Sequence, residues 1–205
     1  MRSALTIILF TVACFFACSK DYSFEGGMEE PAVIDTSTFY VDMQIDGSRV
    51  YYGAGQQGFA LYFAGGVLLP GVAQNFICGI DGGPNNAEFE FQKFFLRLND
   101  NDSTEYLREQ RGIAFFSPGS YPLANPTAGN GVLLRWVDGN SVEWKTAAVA
   151  PNDNSQSFFI TESTPVYSGS MLTGIKVKAG FDALFYNTSQ QTKRIKGVFV
   201  LGVWL

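Results

Sequence analysis

From Ile175 to Phe185 the odd positions read Ile175, Val177, Ala179, Phe181, Ala183 and Phe185, with Lys176, Lys178, Gly180 and Asp182 between them. Alternation with a period of two puts all six apolar side chains on one face of an extended strand, whereas around a helix they would scatter. The segment is therefore confined to a half-buried β-strand. Thr188-Ser189-Gln190-Gln191 turns the chain, and 193–205 runs back along it. From Val198 onward this return strand is apolar on both faces, which predicts a central or covered position rather than a solvent edge.

The same period recurs upstream. Phe39, Val41, Met43 and Ile45 alternate with Tyr40, Asp42 and Gln44, and Asp46-Gly47 supplies a two-residue hairpin turn into 49–55. Further strands are predicted over 59–69, 75–80, 87–98, 112–116 and 155–163, and a hairpin over 131–147 with Asp138-Gly139-Asn140 at its tip. One short helix is predicted over 102–112, with Asp102 as cap, Glu105 three residues on, and Gly112 as stop. Many short strands with Gly, Pro, Asn and Asp at the turns predict one all-β domain over 37–205. The expected form is an antiparallel β-sandwich, with a lipocalin-like closed barrel as the alternative.

The N-terminus is of another kind. After Arg2 comes an apolar run from Ala4 to Ala17, interrupted only by Thr6 and Thr11, and the composition turns polar and acidic after Cys18. A basic start, a short apolar stretch and a small residue at the break read as a secretory signal over 1–17, shorter than the roughly 20 apolar residues of a membrane-spanning helix. Phe15-Phe16-Ala17-Cys18 resembles the lipobox of bacterial lipoproteins. That resemblance implies cleavage before Cys18 and lipid on its thiol and amine. Cys14, which follows Ala13, is the competing position, but a cut there leaves Phe15, Phe16 and Ala17 ahead of the polar segment. Residues 18–36 read as an acidic tether, roughly 60 Å long when extended at about 3.3 Å per residue.

Composition excludes several chemistries. Without Arg2, 13 of the 14 basic residues remain against 19 acidic ones, a net charge of −6. Nucleic-acid binding relies on basic patches and is not expected. The sequence has no histidine, which removes Ser-His-Asp and Cys-His nucleophiles and His-ligated zinc. Cys78, in an apolar stretch, reads as a small buried hydrophobe. Glu88 and Glu90 alternate along one strand and Glu143 sits beside Trp144, a pattern that reads as a solvated strand face rather than a catalytic carboxylate pair. The oxygen-rich stretches 99–105 and 151–156 lack the spacing of a calcium loop and read as polar loops, so no metal and no cofactor are expected. Trp136 and Trp144 flank the Asp138 turn and pair either as a platform for a ligand or interface, or as cross-strand packing. The 19 Phe residues mean a phenylalanine-packed core or the lining of an apolar cavity.

The order of features from 39–47 through 117–123 to the terminal hairpin, with Gly119-Ser120-Tyr121, Gly174 and Gly197, resembles small outer-membrane lipoproteins of Bacteroidota. The resemblance implies an anchor at the outer membrane through Cys18, on either its surface or its periplasmic side, and a β-sandwich. It brings no activity with it. In such bacteria Asp102-Ser103-Thr104 matches an O-glycan acceptor pattern at Ser103. The function expected is non-catalytic binding, adhesion or envelope assembly, with a glycan or an envelope protein as partner. Carriage of an apolar ligand and carbohydrate-directed activity are the alternatives.

Overall fold

The computed structural model describes residues 38–68, 74–95, 112–123, 131–146 and 155–204. Its first hairpin joins β1 (Tyr40–Ile45) to β2 (Ser48–Gly53). Val41, Met43 and Ile45 are buried, and Asp46 and Gly47 make the turn at φ 52° and 82°. A second run comprises β3 (Ala60–Leu68), β4 (Gln74–Asp81) and β5 (Glu88–Phe95), followed by the short β6 (Gly119–Ser120). Then come β7 (Gly131–Val137), β8 (Glu143–Thr146), β9 (Ser157–Ser168), β10 (Met171–Tyr186) and β11 (Thr192–Trp204).

All eleven strands belong to one sheet, and every ladder between them is antiparallel. The order β2-β1-β11-β10 continues through β9 to β6 on one side, while β8-β7-β5-β4-β3 forms the other side. Residues 121–123 link the two sides, with Tyr121 N–H donating to Phe158 O and Val132 N–H to Pro122 O. Among the described strands the sides share one ladder, where Phe185 and Tyr186 of β10 meet Thr146 and Lys145 of β8. The sheet folds over at that corner, so its halves face each other as the layers of a β-sandwich.

Aromatic rings fill the space between the layers. Phe89 of β5 lies 5.7 Å from both Phe181 of β10 and Phe199 of β11, and Phe91 lies 5.6 Å from Phe158 of β9. None of these strands is hydrogen-bonded to β5, so the contacts are cross-layer. All six apolar residues of the Ile175–Phe185 alternation are buried here. Burying each such ring contributes about 1.5–3 kcal/mol relative to leaving it in water. As its two-sided apolar pattern predicts, β11 is central, paired with β1 on one edge and β10 on the other.

The expected open form holds over the closed-barrel alternative: among the described residues β2 and β3 end the strand path and do not pair with each other. The chain between them is taken up by a local turn. Gly55 and Gly58 have φ of 84° and 85°, Gly55 N–H bonds to Phe59 O, and Phe59 stacks on Tyr52 at 4.5 Å. One expectation is corrected here: the strand predicted over 112–116 is instead a helical turn at 112–115, closed by Phe116 N–H to Gly112 O. A strand would send Phe115 and Phe116 to opposite faces, whereas the turn packs both onto Phe76, at 5.3 and 5.6 Å. Gly112, expected to stop a helix, is itself helical here, and the rest of the predicted helix lies outside the described residues.

Candidate functional site

Three hairpin tips, β1–β2, β7–β8 and β10–β11, meet at one end of the sandwich around a cleft of ≈ 840 Å³. Asp46 comes from the first tip, Asn140 and Ser141 from the second, and Thr188, Ser189 and Gln191 from the third, with Trp144 and Lys193 also lining the cleft.

Two of the tips are held by their own side chains. In the β7–β8 turn, Asp138 Oδ1 accepts from the backbone N–H of Asn140 and Val142, at 2.9 and 3.0 Å. Its Oδ2 accepts from Trp144 Nε1 at 3.1 Å. Burial pushes the Asp138 carboxyl up, but these bonds and the charge of Lys193 outweigh it and hold the carboxyl below its ordinary value. In the β10–β11 turn, Asn187 Oδ1 accepts from the N–H of Ser189 and Gln191 while its Nδ2 donates to Gln191 Oε1. Both are Asx turns, which read locally as Asp or Asn at the start of a loop. The Asp138 oxygens are thus occupied by the loop. What faces the cleft from the tips is mostly neutral amide and hydroxyl chemistry, with Lys193, Asp46 and the Arg135-paired Glu143 as further charges.

Trp136 and Trp144 face each other directly in the β7–β8 register, with ring centroids 6.2 Å apart and planes at 27°. Both are buried, and Trp136 Nε1 donates to Tyr52 Oη at 2.9 Å. Lys193 Nζ sits 4.5 Å from the Trp144 ring centroid and 5.4 Å from that of Trp136. The structure therefore puts the two indoles in cross-strand packing, and Trp144 reaches the cleft wall beneath Lys193. Cys14, Cys18 and Ser103 lie outside the described residues. Cys78 is fully buried, and burial followed by the charge of Glu90 pushes its thiol up.

A second cluster lies on the outer face of the β3-β4-β5-β7-β8 side. The register places Tyr62, Gly79, Glu90, Arg135 and Lys145 in one row across five strands. Gly79 has no side chain to block the row; a Cβ there would stand 2.7 Å from the Tyr62 ring. Tyr62 therefore reaches over β4 to Glu88 and Glu90 on β5, with its hydroxyl 2.7 and 2.8 Å from their carboxylates. Burial and these two carboxylates push the Tyr62 hydroxyl far above its ordinary value, which keeps it a donor. Arg135 bonds Glu88 at 2.5 Å and Glu143 at 2.6 Å. Glu90 is buried, so the expectation of a simply solvated face is corrected. The carboxylates are nonetheless engaged by Tyr62, Arg135, Lys145 and Gln92, which makes the row a brace across the sheet.

Lys93 was not singled out by the sequence reading. It follows Phe89 and Phe91 in phase along β5, so its side chain enters the interior, where it is 1 % exposed. Its ammonium lies 3.9 Å from the ring centroids of both Phe115 and Tyr121.

No protein-family model, curated protein or solved structure matches the chain. The fold and the site define a class: an open, all-antiparallel β-sandwich with a polar cleft at the end where three hairpin tips meet.

Proposed function

We propose that this is an envelope protein, anchored by lipid on Cys18 at the outer membrane, that binds a polyhydroxylated ligand of the carbohydrate class in the loop-end cleft without transforming it. The carrying observation is the cleft itself, with hydroxyl and amide groups from the β7–β8 and β10–β11 tips, both held in shape by backbone-directed bonds, and Asp46 from the third. Preorganised neutral donors and acceptors suit a ligand dense in hydroxyls. The polarity of β1 supports the anchoring part. Asp46 at its end lines the cleft, whereas the chain enters β1 at Tyr40, its opposite end. A tether arriving there joins the domain at the end opposite the cleft. Carriage of an apolar ligand draws less support, because the interior Phe rings pack on one another.

Glycan-array binding followed by calorimetry tests the ligand class. Asn140→Ala combined with Thr188→Ala should weaken binding about tenfold for the loss of one or two hydrogen bonds, with thermal stability kept. Unchanged binding in that variant, or release of shortened saccharides by the wild type, would refute the reading. Incorporation of an alkynyl fatty acid that persists in Cys18→Ala would remove the anchor.

A further inference from the structure

We propose that the tip of the β9–β10 hairpin is a bilayer-docking element that seats the domain on the membrane with the cleft facing outward. This deepens the proposed function and rests on its anchor reading. From Ser163 to Ile175 the chain carries no charged residue; Glu162 and Lys176 bound the stretch. Among the described residues, six large apolar side chains are exposed, and three of them, Val166, Tyr167 and Met171, sit together on this one tip. The tip is well formed: Leu172 pairs with Tyr167, Gly174 with Val166, and Thr173 Oγ1 donates to Val166 O at 3.1 Å. Gly169 supplies the turn at φ 64°. A hairpin that is exposed, uncharged and apolar is costly to leave in water and points to a surface that covers it.

The ladder registers say which surface. Tyr40 pairs with Val200, and Val200 with Lys178, so the point of chain entry is level with Lys178 on β10. From Lys178, β10 runs back to Met171, away from the cleft end at Tyr186. The apolar tip thus projects beyond the same end at which the tether arrives, the end nearest the membrane on the anchor reading. An anchor at one end of a chain restrains distance but not orientation. An apolar apex with a tyrosine suits the interfacial region of a bilayer, where amphipathic rings settle. The Lys178–Glu162 pair at 2.7 Å marks the polar base above it.

The full chain, taken from cell envelopes in detergent and reconstituted into phosphatidylcholine vesicles, provides the test. Flotation and the mass of the N-terminal peptide report the anchor, and amide hydrogen exchange reports the tip. Exchange over 163–173 should slow roughly tenfold with vesicles, equally at low and high salt because the tip is uncharged. Exchange over 138–142 and 187–191 should not change. Val166→Asp with Met171→Asp, and separately Val166→Ser with Met171→Ser, should lose the tip protection while still floating. A chain that floats with its tip exchanging as in detergent-free solution overturns the docking and leaves the anchor standing. A chain that does not float and carries no lipid on Cys18 overturns the anchor, and the docking with it. Protection seen in native envelopes but not in pure lipid overturns the lipid proposal in favour of a protein partner.

Discussion

Replacing Lys93 by methionine should stabilise this domain. Burial lowers the Lys93 ammonium from 10.5 to about 8, a shift of roughly 2.5 units or about 3 kcal/mol of penalty on the charged form at about 1.36 kcal/mol per unit. The rings of Phe115 and Tyr121, which face the cation, keep it from costing more, and Met removes the cost while keeping an unbranched stem in the same space. The pH dependence follows from linkage. Below the folded value of about 8 the side chain is charged in both states and the penalty is fully present. Between there and 10.5 the unfolded chain binds the extra proton, so wild-type stability gains on the variant as pH rises, and the penalty is gone above that range. Urea denaturation of both proteins at pH 7, 9 and 10.5 reads this directly. Lys93→Met should lead at pH 7, and its lead should shrink at each step. A variant less stable at pH 7, or a gap that ignores pH, would refute the reasoning.

Asp138→Asn should cost about 1–2 kcal/mol, because the new amide nitrogen confronts the Trp144 N–H or surrenders the two backbone bonds; chemical denaturation measures it, and a neutral result would count against the Asx-turn account. For Gly79→Ala the new Cβ collides with Phe89 O and meets the Tyr62 ring at 2.7 Å, so a loss of about 1–3 kcal/mol is expected, with Tyr62 displaced in a crystal structure of the variant. Deleting residues 195–205 removes most of the strand between β1 and β10 and should abolish cooperative melting; a transition near that of the full chain would refute its central role.

Much of the fold was legible because a strand with one buried face writes its period into the chain. Ile175 to Phe185, Val41 to Ile45 and the Asp138 turn all landed as read, since alternation and turn chemistry are local. The run at 112–116 failed for the matching reason: five residues dominated by apolar side chains carry neither period, and only the position of Phe76 decides that both phenylalanines must point the same way. Lys93 was partly legible. Its phase with Phe89 and Phe91 marks an inward lysine, but the rings of Phe115 and Tyr121 that receive it come from a distant segment.

The sequence by itself determined the class, most of the strand positions, the central place of β11 and the tight hairpin turns, all properties of neighbouring residues. Tertiary structure alone decided that the sheet stays open, that Trp136 and Trp144 pack within the sandwich, and that Tyr62 crosses Gly79 to reach two glutamates. It also decided that the cleft and the apolar β9–β10 tip lie at opposite ends. These depend on strand order and register across the sheet, which no local pattern encodes, because each is set by which distant strands share a ladder.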